Sequence, residues 1–254
     1  TLLVASSSYD PKIEEEQIHT LISRGVDGLL LIGHDRSSKI IDYLEEKNIP
    51  TIVAWAHDPN SRLPSVGFDN FAAMSELARY VLSLGHRRIS MISAWTESND
   101  RARARVMAVR HVMSEAGINA DKLVLIETDY SIETGAAAFD KIMKHQQPPT
   151  VVICGNDILA AGALKQAKTL GLSVPNNVSV TGFDDIELAR ILTPELTTVH
   201  VPHREMGRKG AVLLIEILKN NLVPHSTKLD VYLRKRRTTL VPNAQSARAD
   251  IIVD

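Results

Sequence analysis

Short apolar runs alternate with amphipathic stretches along most of this sequence, and the alternation is the strongest indication of its fold. The runs VDGLLLI (26–32) and PTIVA (50–54) are apolar at nearly every position, as expected for strands that are covered on both faces. The stretches between such runs carry apolar residues at helical spacing, and several of them end at a glycine. Repeated strand–helix units of this kind predict an α/β fold with two doubly wound parallel sheets.

The same pattern gives approximate bounds for the individual elements. Strands are expected at 2–5, 26–32, 50–54, 65–67, 89–92, 123–126, 150–154, 178–181 and 229–233, with a further extended segment at 196–201. Helices are expected at 12–24, 37–47, from Asp69 or Asn70 to Gly85, and at 101–115, 132–145, 157–170 and 203–220. The residues from Asn243 onward are typical of a solvated tail.

The composition excludes several classes of function. The 254 residues include 29 Lys and Arg and 30 Asp and Glu, so the chain lacks the basic excess that holds DNA without help. A single cysteine, Cys154, excludes an internal disulfide and indicates a reducing compartment. No apolar run approaches the roughly 18 residues of a membrane span, and the N-terminus lacks the basic segment of a signal peptide. These features predict a cytoplasmic protein that does not enter a membrane.

Motifs of catalysis and metal binding do not stand out. The nine histidines are scattered, and no pair has the helical spacing of a metal site. No G-x-S-x-G elbow is present, and the segment 33–39 lacks the second Gly-Lys of a phosphate-binding loop. We therefore expect no metal, no cofactor and no enzymatic activity.

Two strands of the expected fold end in polar residues. One apolar run stops at GND (155–157), and a later one stops at GFDD (182–185). Because the C-terminal ends of parallel strands share one edge, where ligands bind, these residues predict a binding cleft. Asp184 could face this cleft, with Asp185 as a cap or partner, and Asn156 could both donate and accept hydrogen bonds. Asp157 is expected to cap the helix that follows it. Asp184 or Asp185 could instead merely cap the short helix after them.

Five sequence blocks form an ordered set that covers nearly the whole chain: GHRRISMI (85–92), ARARVMAV (102–109), ICGNDILAAGAL (153–164), VPNNVSVTGFDDIELARILTPELTTV (174–199) and LRKRRTTLVP (233–242). Together they resemble the LacI/GalR family of repressors. The resemblance implies two lobes of the periplasmic-binding-protein type I fold, joined by three crossover strands, with a small effector between them. It assigns 1–85 and 203–228 to the N-terminal lobe, and 86–202 and 229–254 to the C-terminal lobe.

Two parts of the family pattern do not occur in this sequence. The family begins with a helix-turn-helix headpiece and a hinge helix, which are followed by the first strand and helix of the core. The segment TLLVASSSYDP (1–11) resembles the second strand of that core. We therefore expect this chain to be a piece of a longer protein, with an incomplete N-terminal lobe.

The resemblance also implies further effector contacts. Arg105 lies at the position of the family's effector-binding arginine, and a guanidinium can clamp vicinal hydroxyls or a carboxylate. Tyr130 lies where relatives carry an aromatic ring that stacks on the ligand, although it could also be an ordinary, partly buried loop residue. With Asp184 and Asn156, the full set of expected effector-binding residues is Asp184, Arg105, Asn156, Tyr130, Asp69, Arg103, Trp95 and Phe71.

The resemblance implies the effector-binding and dimerisation core of a transcriptional regulator. Its effector would be a sugar, sugar acid or nucleoside, and it would control operator DNA through a headpiece that is absent from this chain. We expect a homodimer rather than a tetramer joined by its tails, because the tail after Pro242 is short and lacks leucine heptads. The alternative is a periplasmic sugar-binding protein of a transport system, which shares the fold; a secretory signal upstream would favour it, and a helix-turn-helix there would exclude it.

Overall fold

The computed structural model describes residues 1–220 and 225–243, in which helices and strands alternate. The helices are α1 (Pro11–Ser23), α2 (Ser38–Glu46), α3 (Asn70–Ser83), α4 (Asp100–Glu115), α5 (Ile132–Met143), α6 (Asp157–Thr169), α7 (Leu188–Ile191) and α8 (His203–Asn220). The strands are β1 (Leu29–Ile32), β2 (Thr51–Ala54), β3 (Ser65–Gly67), β4 (Ile89–Ser93), β5 (Val124–Glu127), β6 (Val151–Cys154), β7 (Ser179–Thr181), β8 (Thr198–His200), β9 (Thr227–Lys228) and β10 (Tyr232–Arg234). Within these described ranges, no helix has both the length and the apolar character needed to cross a membrane.

Contacts between Cα atoms divide the chain into two compact units. Of the described residues, the first unit contains those in Thr1–Asp69, Glu97–Arg101 and Pro202–Asp230, and the second contains those in Asn70–Thr96, Ala102–Val201 and from Val231 to Asn243. Each unit contains one four-stranded parallel sheet, which confirms the expected α/β class. The lobe boundaries inferred from the sequence stay a prediction.

The sheet of the first unit has the order β1-β2-β3-β9. Leu29 and Leu31 of β1 pack with Ile18, Ile40 and Leu44 of the neighbouring helices, which explains the apolar spacing of α1 and α2. Leu30 and Ile32 alternate with them along β1 and are exposed.

The sheet of the second unit has the order β5-β4-β6-β7, and a smaller antiparallel sheet pairs β10 with β8. Helices α5 and α6 pack closely on each other through two glycines. A Cβ atom at Gly135 would lie 2.6 Å from the Leu159 carbonyl oxygen, and one at Gly162 would lie 2.7 Å from the Ala136 backbone nitrogen. This contact fixes the position of α6, whose N-terminus follows directly from the end of β6.

Two of the expected strands are wrong. Residues 2–5 are exposed and form no strand, because a strand needs a neighbour to pair its backbone groups and none of the described residues provides one. Of the run 229–233, only Tyr232 and Leu233 belong to a strand, β10, which pairs with β8; residues 229–231 connect it to β9, which ends at Lys228 and pairs with β3. The expected tail beyond Asn243 lies outside the described residues.

Candidate functional site

The polar ends of β6 and β7 lie side by side in the second unit. The two strands are parallel neighbours, so the segments that follow them leave the sheet at the same edge. The chain turns immediately after β6, where the Gly155 amide donates to the carbonyl of Ile92 over 2.7 Å. After β7, the Gly182 amide donates to the carbonyl of Thr197 over 2.9 Å. The strand-end geometry expected from the sequence is therefore present.

Asn156, and not Asp157, is the N-cap of α6. Asn156 has an extended backbone, and its Oδ1 accepts a hydrogen bond from the Leu159 amide at 2.9 Å. Asp157 is already the first helical residue, so the expectation that it caps the helix is wrong. Both residue types are good caps, and the backbone conformation decides between them. The cap uses Oδ1, which leaves Nδ2 as the Asn156 group that could donate to a ligand.

Asp184 and Asp185 form a turn with an unusual backbone. Their φ angles are +108° and +55°, in a region that residues with a Cβ atom rarely adopt. Such conformations persist only when the surroundings hold them, and they are concentrated at binding and catalytic sites. The Asp184 amide is held by a 2.9 Å hydrogen bond to the carbonyl of Val199.

The two aspartates of this turn have different surroundings. The Asp185 side chain is fully buried, where it pairs with Arg236 and accepts a 2.9 Å hydrogen bond from His200 Nδ1. Burial by itself would raise the pKa of Asp185, but the hydrogen bonds from Arg236 and His200 outweigh it and hold the pKa below its usual value. The Asp184 side chain is 20% exposed, with Oδ1 at 3.8 Å from Arg105 Nη2. Asp185 is thus a structural partner, whereas the Asp184 carboxylate is the partly exposed one of the two.

Arg105 is a fixed, buried guanidinium beside Asp184. It is 4% exposed, and its Nε donates to Asn70 Oδ1 at 2.9 Å. Its Nη1 donates to the carbonyl of Gly155 at 2.7 Å, and its guanidinium carbon lies 3.7 Å from the centre of the Phe183 ring. These contacts join the start of α3, the end of β6 and the end of β7. Arg105 therefore connects both strand ends and places a positive charge next to Asp184.

Two further candidates, Trp95 and Tyr130, belong to two loops that are linked to each other, and a third, Arg103 of α4, contacts one of these loops. Trp95 follows β4 and is 56% exposed, and its Nε1 donates to Asp129 Oδ1 at 3.0 Å. Tyr130, which follows Asp129 in the sequence, is partly buried against the core of the second unit. Arg103 Nη1 donates to the carbonyl of Thr96 at 2.7 Å. The loops that carry Trp95 and Tyr130 are neighbours because β4 pairs with β5.

The remaining candidates, Phe71 and Asp69, lie at the start of α3 and directly before it. The Phe71 ring lies 5.4 Å from the ring of His111, on the C-terminal half of α4. Asp69 follows β3 and belongs to the first unit, whereas the other seven candidates belong to the second.

The buried carboxylate of Asp157 is the main feature that sequence reasoning missed. Its side chain is inaccessible to solvent; Oδ1 accepts from Thr198 Oγ1 at 2.6 Å, and Oδ2 accepts from the Ile186 amide at 2.9 Å. Burial raises the pKa of Asp157 to about 7, against the hydrogen bond from Thr198. The apolar residues on both sides of it in ICGNDILAAGAL were the available signal that the carboxylate points inward. Among residues 1–220 and 225–243, no cluster of His, Cys, Asp and Glu side chains could hold a metal ion.

Comparison with known proteins identifies the family. Residues 78–239 match the model of the periplasmic binding protein-like domain. The HTH-type transcriptional repressor CytR of Escherichia coli K12 is 32% identical over 229 residues, which cover 90% of this chain and 67% of CytR. The repressor PurR of Klebsiella pneumoniae is 31% identical over 87% of this chain and 65% of its own length.

A solved structure agrees with these relatives. A LacI family transcriptional regulator from Enterococcus faecium, with bound ribose, has a TM-score of 0.82 and 26% identity over 96% of this chain and 88% of its own. The chain spans about two thirds of the length of the two curated repressors. The resemblance found in the sequence is therefore confirmed: the chain belongs to the LacI family of transcriptional regulators and is the effector-binding core of such a protein.

Proposed function

We propose that this core senses a neutral polyhydroxy compound, a sugar or nucleoside, at the shared edge of β6 and β7. The observation that carries the proposal is the 3.8 Å approach of Arg105 and Asp184 at a strained turn. The two opposite charges offset each other, so the site gains little from a charged ligand and favours a neutral one over a sugar acid. The ribose bound to the Enterococcus faecium regulator is a compound of this class.

Five of the candidate residues have assigned roles in this proposal. Asp184 accepts hydrogen bonds from ligand hydroxyls, and the Nδ2 of Asn156 donates to a ligand oxygen. Arg105 holds Asp184 in place and directs its remaining donor capacity to the ligand. The rings of Trp95 and Tyr130 supply an apolar surface for the C–H face of a sugar or for a base. Arg103, Asp69 and Phe71 complete the proposed contact set.

The proposed output is control of operator DNA by a headpiece outside this chain. An effector shifts the conformation of the core only if it binds two conformations with different affinity, typically with about 1–3 kcal/mol of coupling. We propose that the protein acts in the cytoplasm as a homodimer and catalyses no reaction, as befits relatives that are transcriptional repressors. A role in transport is not favoured, because the curated relatives regulate transcription.

A thermal-shift screen tests the ligand class. Neutral sugars, nucleosides and sugar acids are added to the purified chain, and a ligand at about 100 times its Kd stabilises the fold by about 2.7 kcal/mol. We expect the best compound to be neutral, and Asp184→Ala to remove its effect. Glu187→Ala, at an exposed position in the same loop, is the matched control and should keep the full shift. The site is misplaced if Asp184→Ala keeps that shift as well.

Operator control needs the longer protein that carries the headpiece. Its affinity for a palindromic operator is measured by fluorescence anisotropy with and without the best compound of the screen, at one fixed salt concentration. We expect the compound to change the operator affinity about 5- to 150-fold. An affinity that is the same in both conditions contradicts the regulatory proposal.

A further inference from the structure

The turn at Asp184 and Asp185 must be held by its neighbours. Both residues have positive φ angles, and an isolated chain would leave this conformation readily. The side chain of Asp184 points where it does only while this backbone persists. The residues that hold the turn therefore determine how the candidate carboxylate is presented.

Asp157 contacts the chain on both sides of this turn. Its amide donates to the carbonyl of Phe183 at 2.9 Å, just before the turn. Its Oδ2 accepts from the amide of Ile186 at 2.9 Å, just after the turn. One residue at the start of α6 thus fixes the residue that enters the turn and the residue that leaves it.

A third contact connects Asp157 with the strand beside the turn. Its Oδ1 accepts from Thr198 Oγ1 at 2.6 Å, and Thr198 is itself fully buried in β8. The next residue of that strand, Val199, provides the carbonyl to which the Asp184 amide donates. One oxygen of the Asp157 carboxylate therefore binds the turn and the other binds β8. The Asp184 amide also donates to β8, so the turn is held beside this strand.

The neighbouring residues restrict the position of the Asp157 carboxylate. A Cβ atom at Gly182 would collide with Asp157 Oδ1 and lie 2.7 Å from Leu196 Cδ2, so the space for the carboxylate depends on a glycine there. Helix α6 does not need Asp157 as a cap, because Asn156 performs that function. Burying a carboxylate is unfavourable unless its hydrogen bonds are made, which argues for a role in the turn.

We propose that Asp157 is a positioning residue, which holds the strained turn at Asp184 and Asp185 and so presents the Asp184 carboxylate to the effector. The part that concerns the effector rests on the proposed function. The part that concerns the turn does not, because it can be measured without any ligand.

The test compares Asp157→Asn and Asp157→Ala with a control in the same helix. An asparagine can make both side-chain hydrogen bonds, with Oδ1 accepting from the Ile186 amide and Nδ2 donating to Thr198 Oγ1. An alanine makes neither. Leu164→Ala, a core substitution in α6, lowers stability without touching the turn.

The readout that needs no ligand is hydrogen exchange of the Ile186 amide, relative to the Ile153 amide in β6. In Asp157→Ala we expect Ile186 to exchange at least about tenfold faster relative to Ile153, since its acceptor is gone. Asp157→Asn should stay within about threefold of the parent, and Leu164→Ala should change both amides together. Equal protection of Ile186 in Asp157→Ala and in the parent would overturn the inference.

The second readout is calorimetric affinity for the best compound of the screen. We expect Asp157→Ala to bind at least about tenfold more weakly, and both Asp157→Asn and Leu164→Ala to bind within about threefold of the parent. An Asp157→Ala protein that binds like the parent would overturn the presentation of Asp184. If no compound binds the parent, the proposed function fails, and the exchange data still decide whether Asp157 holds the turn.

A second variant covers the case in which Asp157→Ala does not fold. Gly182→Ala crowds Oδ1 from the opposite side and keeps the aspartate. We expect it to accelerate exchange at Ile186 relative to Ile153 in the same way, and unchanged relative exchange would overturn the inference.

Discussion

The two ends of the sheet β5-β4-β6-β7 contain buried polar groups of opposite kinds. At the N-terminal end, His86 precedes β4 and Thr150 precedes β6, and His86 Nδ1 lies 2.8 Å from Thr150 Oγ1. Burial lowers the pKa of His86 to about 4, so the pair is neutral at physiological pH. At the C-terminal end, Arg105, Asp157 and Asp184 combine charge with a strained backbone. One end is a neutral buried pair, whereas the other contains the charged groups that are proposed to bind a ligand.

The largest difference expected between the two ends of the sheet is the pH dependence of folding stability that Asp157 causes. Burial raises the pKa of Asp157 from 3.8 to about 7, and the nearby Asp184 and Asp185 also raise it. The folded protein then binds more protons than the unfolded chain, so Asp157 makes stability fall as pH rises from about 4 to about 7. The loss is on the order of 4 kcal/mol. In Asp157→Asn this fall should vanish from urea unfolding curves; a parent and variant with the same pH profile would contradict the raised pKa.

Removal of the Arg105 side chain should have the next largest effect. Arg105→Ala leaves Asn70 Oδ1 and the Gly155 carbonyl without this donor, and removes the cation beside Asp184. We expect the free energy of unfolding to fall by about 3 kcal/mol and ligand binding to be lost. Arg103→Ala is the control; Arg103 is partly exposed and donates to Thr96, so its loss should cost about 1 kcal/mol or less. If both variants lost the same free energy of unfolding, the connection that Arg105 makes between the ends of β6 and β7 would not contribute to stability.

His86 should give a pH dependence of the opposite sign. Its pKa falls from 6.5 to about 4 on folding, so the unfolded chain binds more protons between these values. His86 therefore makes stability fall as pH drops from about 6.5 to about 4, by on the order of 3 kcal/mol. His86→Asn can keep a hydrogen bond to Thr150, and urea unfolding at several pH values should show that this acid sensitivity has disappeared. An unchanged slope would mean that another group causes it.

The smallest expected effect concerns the aromatic ring at the C-terminal end. Trp95→Phe removes the hydrogen bond from Nε1 to Asp129 but keeps an exposed ring. We expect stability to change by less than about 0.5 kcal/mol, because the residue is exposed. Affinity for the best compound should fall only about two- to fivefold, whereas Trp95→Ala should weaken it further, since stacking needs the ring. Calorimetric titration measures both, and full affinity in Trp95→Ala would exclude the ring from the site.

The fold could be predicted from the sequence to a large extent, because local patterns determine most of it. The run VVIC and the spacing of DILAAGAL identify β6 and α6 without knowledge of their neighbours. Partners that are distant in sequence could not be predicted in this way. The apolar segment 2–5 has the composition of a strand but no strand to pair with among the described residues, and the sequence from 227 to 234 gives no sign that the chain changes sheets.

The candidate site could be predicted in position but not in detail. The strand-end rule located Asp184 and Asn156, and the resemblance supplied Arg105. The rule does not give the direction of a side chain, so it could not distinguish the cap at Asn156 from the buried carboxylate at Asp157. Nor could it predict that Phe71 packs against His111, because that contact depends on how two helices lie together.

The link between the loops after β4 and β5 suggests how selectivity could be redesigned. The groups that would recognise hydroxyls are held by helix starts and strand ends, through contacts such as Arg105 to the Gly155 carbonyl. Trp95 and Tyr130 lie instead on two short loops. Hydrogen bonds from Trp95 to Asp129 and from the Thr96 amide to Glu127 connect these loops to each other. A combinatorial library limited to these two aromatic positions could therefore change which compound binds while the groups proposed to recognise hydroxyls stay in place.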